Sequence, residues 1–159
     1  MSRETTCMFT GHRILDRGFR FERLYKTVVK LIEKRGVDTF IAGGAMGFDT
    51  YAAQAVLKAK ESGYNVQLHL YLPCNNQTEK WAQAHIIKYN EILERADYID
   101  LVDKPYFDGC MKKRNYKMVD NASFCLCYFN GKSSGTAQTV KYAISRGLEI
   151  GNLYREYVF

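Results

Sequence analysis

The sequence predicts an α/β fold: a doubly wound, mostly parallel sheet of about six strands with helices on both faces. Two observations lead there. Strand-like apolar runs alternate with helix-periodic stretches along the whole chain, with no repeat, low-complexity tract or linker between them. Twice, such a run breaks into a glycine-rich turn that opens directly into a helix. The first is Thr39-Phe40-Ile41-Ala42 followed by Gly43-Gly44-Ala45-Met46-Gly47-Phe48-Asp49. The second is Phe124-Cys125-Leu126-Cys127-Tyr128-Phe129 followed by Asn130-Gly131-Lys132-Ser133-Ser134-Gly135-Thr136. At 159 residues the chain is expected to form one domain, 1–159, around one sizeable core.

The elements follow in order. Residues 6–9 form the first strand. Phe21, Leu24, Tyr25, Val28 and Ile32 keep helical spacing until Gly36 stops the helix. Residues 39–42 are the second strand, and Ala53, Val56, Leu57 and Lys60 belong to a helix ending near Gly63. Residues 66–72 are the third strand, closed by Pro73. Thr78 is the expected N-cap of a third helix carrying Ala82, Ile86, Tyr89 and Leu93. A fourth strand spans 98–102 and a short basic helix 111–120. The fifth strand covers 123–128. A last helix covers 136–146, with Val140, Ala143 and Ile144 inward, and a sixth strand covers 150–154. Right-handed crossovers make this a three-layer, Rossmann-like sheet. Such sheets bind ligands beyond the carboxyl ends of their strands, near the switch in strand order, so the loops after strands one, two, three and five are expected to converge.

Composition narrows the function classes. A hydrophobic fraction of 47% and a charged fraction of 25% are ordinary for a soluble globular protein. The net charge of +6 favours anionic partners, phosphates or nucleic acid, without choosing between them. The cysteines (Cys7, Cys74, Cys110, Cys125 and Cys127) are odd in number and lack a CxxC pair, which argues against a disulfide framework or a zinc site. Cys7, Cys125 and Cys127 read as core residues, whereas Cys74 and Cys110 fall in loops and are candidate reactive thiols. No leader is visible and no apolar run approaches the ~20 residues of a membrane span, so a cytoplasmic protein without a membrane partner is expected. His12, His69 and His85 are scattered, so no metal site is expected, and no nucleophile–base triad appears.

The unusual residues lie in the loops. Gly43-Gly44-x-x-Gly47 lacks the spacing of a dinucleotide fingerprint, and no acidic residue ends a following strand, which argues against a standard NAD dehydrogenase. The glycines, with Ala45, still let backbone approach an anion, and Asp49 is placed to cap the helix or to meet a ribose hydroxyl. Gly131-Lys132-Ser133 imitates the end of a P-loop, but the glycine required five residues earlier is Leu126. What remains is Ser134-Gly135-Thr136 opening a helix, suited to a phosphate or carboxylate or to plain capping. After the first strand, Thr10 offers a hydroxyl, Gly11 a sharp exit and Arg13 a bidentate fork; His12 is given no catalytic role. Arg114 shares a helix face with Met118, so an inward Met118 carries Arg114 toward the strand ends. Pro73 and Gln77, with Asn75, Asn76 and Trp81, bring amides and an aromatic ring to the third strand's end, where a base or ribose would lie.

Taken together, Cys7-x-Phe9-Thr10-Gly11-His12-Arg13, Gly43-Gly44-Ala45-x-Gly47-x-Asp49-x-x-Ala52-Ala53, Pro73-Cys74-x-x-Gln77-x-x-x-Trp81, Cys110-Met111-x-x-Arg114-Asn115-x-x-Met118-Val119-Asp120 and Gly135-Thr136 resemble the SLOG superfamily, and within it the YpsA-like branch. The resemblance implies a Rossmann-like fold that binds nucleotides or their derivatives, such as AMP, ADP-ribose or an NAD-like molecule, with no fixed cofactor. Relatives include LOG phosphoribohydrolases, single-strand-binding DprA proteins and ADP-ribose sensor domains; by analogy a homo-oligomer is expected. The LOG signature is similar to PGGxGTxxE with an upstream arginine. Arg114 matches that arginine and Gly135-Thr136 the GT pair, but the acidic pair falls on Gln138 and Thr139, and the proline and one glycine are replaced within Lys132-Ser133-Ser134.

Three readings follow. The first is a binding protein, sensor or regulator, for a nucleotide-derived molecule held by Thr10, Gly11, Arg13, Gly43, Gly44, Ala45, Gly47, Asp49, Pro73, Gln77, Arg114, Ser134, Gly135 and Thr136. The second is a nucleoside 5'-monophosphate phosphoribohydrolase using Asp49 or Asp120 in place of the missing carboxylates. The third is a single-stranded nucleic-acid binder.

Overall fold

A computed structural model of the protein describes residues 1–155 and 159. Six strands form one parallel sheet: β1 (Thr6–Gly11), β2 (Thr39–Ala42), β3 (Gln67–Leu72), β4 (Tyr98–Leu101), β5 (Phe124–Tyr128) and β6 (Glu149–Asn152). Their order is β4-β3-β2-β1-β5-β6, and all five pairings are parallel. Five α-helices connect them: α1 (Phe21–Arg35), α2 (Phe48–Glu61), α3 (Gln83–Arg95), α4 (Cys110–Asp120) and α5 (Gly135–Ser145).

The two faces of the sheet are read directly from the strands. In β1, Cys7 and Phe9 face one side and join Leu24, Val28 and Leu31 of α1, Phe48, Ala52 and Val56 of α2, and Ile92 of α3. Met8 faces the other side, with Cys125 and Cys127 of β5, Met118 and Val119 of α4, and Val140 and Ala143 of α5. Consecutive strand residues are therefore buried, as a sheet covered on both faces requires. From β1 the chain winds outward to β4. It then returns through α4 to β5 and winds the other way, and right-handed crossovers place the later helices on the opposite face. The switch in direction lies between β1 and β5.

Most elements match their expected ranges within two residues, and the exceptions have physical reasons. Thr78 does not cap α3, which starts at Gln83 behind Ala82 with no side-chain cap. Residues 76–81 instead form turns, with Glu79 N–H donating to Asn76 O and Trp81 N–H to Thr78 O. Trp81 packs edge-on against Tyr89 (5.5 Å, 80°), which holds the turn against the helix. Ile144 is 62% exposed, because the buried stripe of α5 is Thr136, Thr139, Val140 and Ala143, and Ile144 falls one step past it. His85 is exposed on α3. Cys110 opens α4 rather than sitting in a loop, and both it and Cys74 are buried, so neither is the exposed thiol that its neighbourhood in sequence suggested. Among the described residues no helix is long and apolar enough to cross a membrane.

A candidate anion site at the carboxyl edge of the sheet

The carboxyl ends of β1 and β2 and the amino ends of α4 and α5 surround a cavity of about 260 Å³ beside the switch point. β1 ends in Thr10 and Gly11, whose Cα would carry a side chain into the Phe48 ring, so only glycine lets α2 start this close to β1. His12 ties this loop to its neighbours. Its carbonyl accepts the Phe48 N–H (3.1 Å) and its Nε2 accepts the Asn130 N–H (3.0 Å). A histidine that staples two loops through its ring nitrogen has the structural role expected of it.

Arg114 is the buried cation of the site, 7% exposed, and shares its inward helix face with Met118. Its Nη1 donates to the carbonyls of Gly43 and Tyr71, and its Nε donates to Asn115 Oδ1 (2.7 Å). Its Nη2 meets only the Met111 sulfur at 3.7 Å, a weak acceptor. A guanidinium buried this deeply therefore keeps strong donor capacity at the cavity wall. Burial lowers its pKa from the usual arginine value, and the Asp49 carboxylate opposes that shift.

Asp49 sits across Gly43 from Arg114 and is itself buried. Its Oδ2 accepts the Gly43 N–H (2.9 Å), while Arg114 donates to the carbonyl of the same residue. A Cβ on Gly43 would stand 2.8 Å from both side chains. Burial pushes the Asp49 carboxyl above its ordinary range; the Arg114 charge and the amides of Gly43 and Ala45 pull it back. Of the two roles read from the sequence, Asp49 performs the local one and organises its own loop.

The turn before α5 is different. Ser134 is the N-cap, and its Oγ accepts the Ala137 N–H (3.1 Å). The N–H groups of Gly135 and Thr136 and the hydroxyls of Thr10 and Thr136 have no hydrogen-bond partner among the described residues, and all three residues line the cavity. The positive end of the α5 dipole points the same way. This arrangement suits an oxyanion.

A second cavity, of about 480 Å³, adjoins the first and shares Arg13 and Met111 with it. Its other walls include Met46, Gln77, Trp81 and Tyr106. The first cavity thus collects Thr10, Gly11, Arg13, Ala45, Asp49, Arg114, Ser134, Gly135 and Thr136, and Gln77 lines the second. Gly43, Gly44, Gly47 and Pro73 line neither: Gly44 is packed beneath Leu72, Tyr89 and Gln77, and Pro73 belongs to the α4 side of β3. Asp120 lies at the far end of α4, accepting from the Tyr142 hydroxyl (2.7 Å), away from both cavities. Sequence reasoning missed Met111, which lies three residues before Arg114 and could have been found from helical spacing. It also missed Tyr106, for which no local pattern exists.

The sequence model of the YspA SLOG family matches residues 20–154. A UPF0398 protein of Halalkalibacterium halodurans is 30% identical over 69% of this chain and 58% of its own length. The chain spans less than two thirds of that relative and of the similar Oceanobacillus iheyensis and Oenococcus oeni proteins. Among solved structures, DNA processing protein A of Helicobacter pylori, titled for its single-stranded DNA binding mode, superposes with a TM-score of 0.68 at 14% identity, over 94% of this chain and 65% of that one. The Streptococcus pneumoniae protein of the same name gives 0.63 at 16% identity, over 92% and 49%. These structures show a shared fold. With a family match over most of the chain, the protein belongs to the YspA SLOG family.

Proposed function

We propose that the protein is a binding protein, acting as a sensor or regulator, for a phosphate-bearing molecule derived from a nucleotide. One observation carries this reading: a buried guanidinium with an under-used Nη2, two unpartnered N–H groups and two unpartnered hydroxyls converge on one cavity. A phosphate supplies acceptors to all of them, and its charge suits both Arg114 and the α5 dipole. A hydrolytic role is less well supported. Asp49 is the one carboxylate lining the first cavity among the described residues, and it is committed to the Gly43 amide.

A thermal-shift series with AMP, ADP-ribose, NAD and cyclic nucleotides tests the reading, since a native-state ligand raises the melting temperature by mass action. Gly135→Pro sharpens it. Proline is tolerated at the first helical position, Ser134 is extended as a residue before proline must be, and the space at Gly135 is open. The variant is expected to fold as the parent does and to bind the stabilising nucleotide about tenfold more weakly, for the loss of one charge-assisted hydrogen bond. No shift with any nucleotide, or an unchanged affinity in Gly135→Pro, refutes the placement.

A second reading, single-stranded nucleic acid across the same rim, is supported by the DNA processing protein A neighbours and by exposed Arg13 and Lys80 on the cavity walls. Its signature is an affinity that collapses with added salt, about a thousandfold between low and moderate ionic strength for six or more phosphates. A single small ligand shows a much shallower salt slope.

A further inference from the structure

We infer that Cys74 and Cys110 are a thiol-oxidation site, forming a reversible disulfide with each other under hydrogen peroxide. The inference stands on the packing of β3 against α4 and is independent of what the anion cavity holds. Arg114 Nη1 donates to the Tyr71 carbonyl at 3.3 Å, which anchors α4 on the end of β3. Cys110 lies one helical turn before Arg114, and Cys74 lies three residues beyond Tyr71. The two side chains meet there. Each cysteine is 1% exposed, and Cys110 is within hydrogen-bonding reach of the Cys74 thiol. Both segments are held in place: Asn75 N–H donates to Lys104 O at 2.8 Å, and Cys110 N–H to Phe107 O at 3.1 Å. Thiols in contact on two anchored segments need no large backbone movement to be bridged.

A third cavity, of about 190 Å³, gives a small oxidant its route to the pair. Cys110 lines it, together with Pro73, Phe107 and Arg114, and its rim includes the exposed Lys113 and Lys117. A water molecule occupies about 30 Å³, so a peroxide molecule fits with room to spare. Arg114 lines both this cavity and the anion cavity, and Met111, next to Cys110, lines the anion cavity as well. The first turn of α4 therefore stands between the two. Both cysteines interact electrostatically with the Arg114 guanidinium. Electropositive surroundings of this kind distinguish cysteines that oxidise from those that only fill a core.

The positions of the two thiols set the order of events. Cys110 faces the cavity and reacts first: its thiolate sulfur attacks one peroxide oxygen, the O–O bond breaks, and the departing hydroxide takes up a proton as water. This leaves a sulfenic acid on Cys110. Burial raises the pKa of the Cys74 thiol, which holds it back as the second partner. Its sulfur then attacks the Cys110 sulfur, the S–O bond breaks, and a second water leaves with the Cys74 proton. The thiol pair has lost two electrons and two hydrogens, and peroxide has been reduced to two waters. A dithiol reductant reverses the step by exchange. Cys7, Cys125 and Cys127 are fully buried in β1 and β5 and serve as an internal control.

The test treats the folded chain with excess hydrogen peroxide, unfolds it, blocks free thiols with an alkylating agent and maps the peptides by mass. Two of the five cysteines are expected to escape alkylation, and the mass of the chain should fall by two hydrogens. One cross-linked peptide should join Cys74 to Cys110, and dithiothreitol should restore both thiols. Cys74→Ser should give no cross-link and leave a sulfenic acid on Cys110, captured by dimedone. Cys110→Ser should give neither. If a variant fails to fold, the peptide map of the parent chain decides. Retention of all five thiols, a cross-link through any other cysteine, or oxidation of Cys110 that dithiothreitol does not reverse overturns the inference.

Discussion

The two glycine turns look alike in sequence, each joining a buried strand to a helix, yet they do opposite things. The β2–α2 turn is closed upon itself. Asp49 takes the Gly43 amide, Arg114 takes the Gly43 carbonyl, and Gly47 lies directly against the backbone of His12 and Arg13 with φ +77°. Its glycines exist so that chain can pack on chain. The β5–α5 turn is open: a Cβ at Gly135 would meet nothing within 4 Å, both Gly135 and Thr136 line the cavity, and their amides have no hydrogen-bond partner among the described residues. Glycine in a loop before a helix is therefore ambiguous, and what separates scaffold from binding surface is whether the loop satisfies its own hydrogen bonds.

This contrast can be broken or sharpened by substitution. The largest effect is expected at Asp49→Ala. It strands the Gly43 N–H and leaves the Arg114 charge buried without its counter-charge, a loss of about 3–5 kcal/mol in urea unfolding. A loss below about 1 kcal/mol would show that Asp49 does not organise the loop.

Next comes a matched pair, Gly47→Ala against Gly135→Ala. The first forces a Cβ into the Arg13 carbonyl at a positive φ and should cost about 2–4 kcal/mol. The second enters free space on a helix and should change stability by no more than about 1 kcal/mol, in the stabilising direction. Similar effects at the two positions would abolish the distinction between the turns.

The smallest effect lies outside both turns and serves as a control. His69 is buried, its Nε2 meets Gln67 Oε1 at 2.8 Å, and its Nδ1 has no hydrogen-bond partner among the described residues. Burial lowers its pKa from 6.5. The unfolded chain then binds a proton that the native state refuses, so stability present above pH 6.5 is lost as the pH falls toward the folded value. His69→Gln should flatten that part of the stability–pH curve without altering ligand affinity. An unchanged slope would assign the pH dependence elsewhere.

Much of the fold was legible because its signals are local. The spacing of Leu24 and Val28, the stop at Gly36 and the run 39–42 each report on a few neighbours. Arg114 was legible for the same reason, since Met118 lies one helical turn away and had to face inward. The start of α3 was not, because the contact of Trp81 with Tyr89 outweighs the capping preference of Thr78. Nor was the state of Cys74 and Cys110, whose burial follows from the packing of the β3 end against α4 rather than from the residues around them.

By itself the sequence determined the alternation of strands and helices, the sheet they build, and the shortlist of loops that can meet a ligand. These follow from periodicity and from the handedness of crossovers, which act over short stretches of chain. The tertiary structure alone decided which turn stays open, which glycines serve packing, and that Tyr106 stands across a cavity from residues in three other loops. Those outcomes depend on the pairing of groups far apart in sequence, for burial removes the water that would otherwise satisfy every donor alike.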